Sequence, residues 1–163
     1  MKTPARRVAV TGIMCALAAA VSYAEGFLPV IPLPGAKPGL SNIVTMAALY
    51  YVGAPAAFAV TAVKGLTALT RGAAACMMSL SGGLVSLAVM AALYFPLKKR
   101  ISWLGVGVAG AAAHNAAQLA AASVIAGQAL TGLLPPLLAA GIAAGIITGT
   151  AMNLLNRNLH IAR

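Results

Sequence analysis

Acidic residues are all but missing from this chain, which has one, Glu25, against eleven lysines and arginines in 163 residues. Charged residues of either sign make up 7% of the sequence and hydrophobic ones 61%, with a mean hydropathy of +0.95. That balance lies far outside the soluble globular range and leaves no room for a soluble domain. The net charge of +10 would point to nucleic acid in a soluble protein. Here no aromatic residues are interleaved with the cations, and these sit at the ends of apolar runs, where they act as topology signals. Only two cysteines occur, Cys15 and Cys76. They have neither metal-ligand spacing nor a CxxC pattern and read as small apolar fillers. A phosphate-binding loop of the GxxxxGK[ST] type is also missing, so any ATP-driven step would fall to partner proteins. No internal repeat is evident, which speaks against inverted-repeat transporter architecture.

What is present is a series of Ala-, Leu-, Val- and Gly-rich segments. With about 20 residues needed per crossing, the length allows roughly six membrane helices. They are expected at about 8–28, 40–52, 56–70, 77–97, 103–126 and 133–156, in a single membrane domain covering residues 1–163. The uncertain point is whether 40–70 is one helix or two. A turn at Gly53-Ala54-Pro55 puts Lys2, Arg6, Arg7, Lys98, Lys99, Arg100, Arg157 and Arg163 on one side, eight of the eleven basic residues. The positive-inside rule makes that side the cytoplasm, with both termini on it. The chain therefore reads as an all-α, six-helix, multi-pass protein of the bacterial cytoplasmic membrane. Met1–Ala24 has the outline of a signal peptide, but it is expected to be retained as the first span. Within that span Gly12, Ala16, Ala20 and Ala24 recur every fourth residue. Such a stripe lets another backbone approach closely, either a partner's or another helix of the same bundle.

The stretch Tyr23–Asn42 holds Glu25 and Lys37 together with Pro29, Pro32, Pro34 and Pro38, which break any helix. Placed by depth, Glu25, Lys37, Asn42, Lys64 and Arg71 all fall in the outer half of the membrane. His114, Asn115 and Gln118 lie near the middle of the fifth span, His114 and Gln118 one turn apart on the same face. A charge at the bilayer centre costs at least about 2.5 to 3.5 kcal/mol, so Lys64 needs a partner or a watered cavity, with Glu25 the obvious candidate. The pair could be purely structural, with Lys64 snorkelling outward. Alternatively, the surplus of cations suits an anionic small molecule. His114 is a poor metal ligand, since no cysteine or second carboxylate accompanies it, and no metal or cofactor is expected. His114, Asn115 and Gln118 are better suited to hydrogen bonding a ligand or the second span.

Several of these stretches resemble a known family. Tyr23–Glu25, the run Leu33-Pro34-Gly35-Ala36-Lys37-Pro38-Gly39-Leu40-Ser41-Asn42-Ile43-Val44, the Ser81-Gly82-Gly83 turn, and Gly110 through His114-Asn115 to Gln118 look like the Gx transporter family, also called heptaprenyl diphosphate synthase component I. Pro38 departs from the aliphatic residue expected there. That family is similar to the substrate-binding S components of energy-coupling factor (ECF) transporters. The resemblance implies a six-helix bundle that binds a vitamin-like solute beneath its first outer loop. It also implies docking through Gly12, Ala16, Ala20 and Ala24 onto a transmembrane coupling subunit driven by a pair of ATPases. Glu25, Lys37, Asn42, Lys64, Arg71, His114, Asn115 and Gln118 would form the substrate site. The enzyme name implies another role, a membrane accessory of polyprenyl diphosphate or quinone metabolism. Catalysis itself is not expected, because Mg²⁺ on a diphosphate is normally held through carboxylates and this chain has one. A facilitator working without partners is the third possibility.

Overall fold

The computed structural model describes residues 3–27, 39–97 and 100–161. Within them the chain forms α1 Pro4–Glu25, α2 Asn42–Tyr51, α3 Ala54–Leu66, α4 Ala73–Leu97, α5 Trp103–Ala126 and α6 Leu134–Ile161, with 3-10 turns at Thr67–Arg71 and Thr131–Leu133. No strand occurs among the described residues. Among the described residues three stretches are each long and apolar enough to cross a membrane: Pro4–Glu25, Ala73–Leu97 and Thr131–Asn158. α5 matches them in length, with 24 residues, but its buried His114, Asn115 and Gln118 dilute its hydropathy. α2 and α3 have 10 and 13 residues, short of the roughly 20 that a straight crossing needs.

The helix ends follow local chemistry. α2 stops where the amides of Val52 and Gly53 both donate to the carbonyl of Ala48, at 3.0 and 2.9 Å, with Gly53 at φ +120°. Only glycine reaches that backbone region without strain, and Pro55, in the first turn of α3, starts the next helix in the opposite direction. The turn thus falls where the basic residues required it. α5 begins on an N-cap, Ser102 Oγ accepting from the Gly105 amide at 3.0 Å, and ends on left-handed Gly127.

α2 is apolar nearly all round and buried from Val44 to Leu49, as befits a central helix. Met90 of α4, Val106 of α5 and Met152 of α6 close the core around it. α5 packs most extensively on α4 and α6. Its seam with α6 is made of glycine. A Cβ added to Gly145 would lie 2.5 Å from Val108 Cα, one on Gly149 2.6 Å from Leu104 Cα, and one on Gly107 2.6 Å from the Gly145 carbonyl. At one end of the bundle Trp103 stacks on Tyr94, centroids 5.7 Å apart, and meets Tyr50 edge-on at 4.7 Å.

Three expectations from the sequence need correction. The first helix ends at Glu25 rather than continuing to Leu28, and the fourth begins at Ala73 rather than near Met77. Ser81-Gly82-Gly83 lies inside α4, as the expected 77–97 span has it, and the two glycines admit neighbouring side chains. Gly12, Ala16, Ala20 and Ala24 do not pack within the chain's own bundle. All four are exposed, while Ala18, Ser22 and Glu25 carry the buried face. An offset of two residues turns a side chain by about 200°, so these two sets face opposite ways.

Candidate functional site

The polar residues meet where α1 ends and α2 begins. Glu25, the last residue of α1, is 2% exposed, and one carboxylate oxygen accepts the Leu40 amide. Its other oxygen, Oε2, is buried without a hydrogen bond. Ser22, one turn earlier on the same face, donates through Oγ to the Lys64 carbonyl at 3.3 Å, and Thr67 Oγ1 donates to that carbonyl at 2.7 Å. The first bond ties the end of α3 to α1, and the second is local, joining α3 to the 3-10 turn that follows it.

Lys64 itself is 1% exposed, and its Nζ donates to Asn42 Oδ1 at 2.5 Å. The sequence made Glu25 its obvious partner. The structure instead gives the ammonium an amide oxygen and gives the carboxylate a backbone amide. Gly83 makes room for the lysine stem, because a Cβ there would come within 2.9 Å of Thr61 Cγ2 and 3.4 Å of Lys64 Cε.

His114 fills the adjoining space between α4 and the start of α2. A Cβ on Gly82 would lie 3.0 Å from His114 Cε1 and Nδ1, and one on Gly39 3.5 Å from Cδ2. Gly39 has φ +89°, and its added Cβ would also stand 3.1 Å from Asn42 Nδ2. A larger residue at either glycine would displace these groups. Gln118 Nε2 lies 3.4 Å from His114 Nε2, one turn along α5. Asn115 turns the other way, donating to the Leu137 carbonyl of α6 at 2.6 Å.

Glu25, Asn42, Lys64, His114 and Gln118 therefore form one cluster. Arg71 stands at its rim on Gly26, where an added Cβ would come 2.8 Å from Nη1. Lys37 and the proline-rich run 29–38 lie outside the described residues, as do Lys2, Lys98, Lys99 and Arg163. Sequence reasoning passed over Ser22, and it noted Gly39, Gly82 and Gly83 without seeing that they make room for the site's side chains. Ser22 could have been found from its position three residues before Glu25, which puts both on one helical face.

Beyond the cluster's internal bonds, Asn42 Nδ2, Asn115 Oδ1 and Thr45 Oγ1 are buried without hydrogen bonds, as is Glu25 Oε2. Each such atom costs about 1 to 3 kcal/mol relative to a satisfied one. A ligand bringing an acceptor to Asn42 and a donor to Glu25 would recover part of that. The described cations here, Lys64 and Arg71, outnumber the one carboxylate, which favours an anion.

Residues 14–155 match the sequence model of a protein family described as heptaprenyl diphosphate synthase component I, a stretch that takes in the whole cluster. No curated protein and no solved structure matches the chain.

Proposed function

Because the chain belongs to the heptaprenyl diphosphate synthase component I family, we propose that it is a membrane-embedded, non-catalytic subunit that binds a small anionic molecule around Lys64. The observation that carries this reading is the Lys64 ammonium, 1% exposed and held on Asn42 Oδ1 within a bundle built for a bilayer. An intramembrane cation kept at such cost usually has a ligand or a transport step to serve. One acidic residue in the whole chain supports the non-catalytic role, since Mg²⁺–diphosphate chemistry draws on carboxylates.

The compact cluster suits a polar, vitamin-like solute captured from outside by a six-span bundle with cytoplasmic termini. The exposed stripe Gly12, Ala16, Ala20 and Ala24 supports a partner helix, and so the substrate-binding subunit of an ECF uptake transporter with a coupling subunit and ATPase pair. The family's description favours a second reading more directly, an accessory of polyprenyl diphosphate or quinone metabolism whose cations hold a prenyl diphosphate. The proteins that purify with the chain from native membranes separate the two. A transmembrane coupling protein with ATPases, lost on Ala20→Leu, fits the transporter. A soluble prenyltransferase subunit, retained in that variant, fits the accessory.

A further inference from the structure

A second concave feature lies at the opposite end of the bundle from Lys64. A groove of about 570 Å³ runs between α1 and the α2–α3 turn, walled by Val8, Cys15, Val52, Pro55 and Ala56, with Gly12 in its lining. Arg7 stands in it, and its Nη2 donates to the Val52 carbonyl at 2.9 Å. That bond uses one of the five N–H donors of a guanidinium. The side chain is otherwise exposed, so a pinned cation is presented over an apolar channel. The groove continues onto a helix face where Val8 is 73% and Ile13 69% exposed, the kind of surface that acyl chains cover.

We propose that this groove binds an anionic phospholipid, its phosphate on the Arg7 guanidinium and one acyl chain along the wall formed by Val8, Cys15 and Ala56. The charge complementarity favours a lipid over an apolar partner helix. Guanidinium recognises phosphate through paired, charge-assisted hydrogen bonds. By the positive-inside rule this end, which also carries Arg6 and Arg100, faces the leaflet where anionic headgroups attract cations. The site is independent of the ligand bound at Lys64.

The test is native mass spectrometry of the full chain released from nanodiscs of equal phosphatidylglycerol and phosphatidylcholine. It compares the wild type with Arg7→Gln and with Gly12→Leu. Gly12 lines the groove and an added Cβ there meets nothing within 4 Å, so leucine adds bulk at the lining without a clash at its Cβ. The wild type should retain phosphatidylglycerol in preference to phosphatidylcholine, and each variant should lose that adduct by about tenfold, as expected for one charge-assisted contact or for a blocked channel. Equal retention of the two lipids, or adducts that survive Gly12→Leu, would overturn the proposal. So would a polypeptide that occupies the groove in place of the lipid and is lost on Arg7→Gln.

Discussion

Lys64 donates a hydrogen bond to α2, where Asn42 presents an amide oxygen 2.5 Å from the ammonium. Removing that acceptor while keeping the charge should be worse than removing the charge itself. Asn42→Ala is expected to cost about 1 to 3 kcal/mol, the penalty for taking one acceptor from a buried ammonium. Lys64→Met, which keeps the apolar stem and drops the ammonium, leaves Asn42 Oδ1 without this donor but is expected to cost less, because an unpaired neutral amide is cheaper to bury than an unpaired ammonium. Thermal unfolding of both variants in the same detergent checks the order, and a Lys64→Met protein less stable than Asn42→Ala would refute it. That Lys64 must be held inside was legible from its isolation among apolar residues. Its partner was not, because a single carboxylate in the sequence drew the pairing towards Glu25, while Asn42 comes close only once the turn before α2 brings the helix start against α3.

Among the helices, α1 and α6 both carry small residues every fourth position, and they use them in opposite ways. Gly145 and Gly149 of α6 sit in backbone contact with α5, whereas Ala20 of α1 is exposed. Gly145→Ala should therefore destabilise the fold by about 1 to 3 kcal/mol, because the new methyl has the Val108 backbone, at 2.5 Å, in its way. Ala20→Leu should stay within about 0.5 kcal/mol of the wild type. Chemical unfolding in micelles measures both, and an equal loss would mean that α1 also packs through its stripe. The spacing of small residues was visible in both helices, but spacing gives only the existence of a face. Which face turns inward is decided by the rest of the helix, and on α1 Ser22 and Glu25 take the inner side. The turn at Gly53 was legible because charge and backbone chemistry agreed. Gly82 and Gly83 were legible as part of the fourth helix, but not as the gaps that admit Lys64 and His114, because spacing alone does not say which side chain a glycine faces.

For the molecule as a whole, the alternation of helices puts Arg6, Arg7 and Arg100 at one end and Glu25, Lys64 and Arg71 towards the other. The orientation we propose, from the positive-inside rule, has the first end cytoplasmic. In a background of Cys15→Ala and Cys76→Ala, Thr70→Cys should react with an impermeant thiol reagent in intact cells, and Arg100→Cys only after permeabilisation. The reverse pattern would invert the orientation and place the Lys64 site on the cytoplasmic side. The central claim, that this bundle exists to hold an anionic molecule on Lys64, is tested most directly by native mass spectrometry of the protein purified in mild detergent alongside Lys64→Met. The account predicts a discrete bound anion in the wild type that is absent from the variant; its mass identifies a polar solute or a prenyl diphosphate. The same bound species at the same occupancy in both proteins, or none in either, would contradict it.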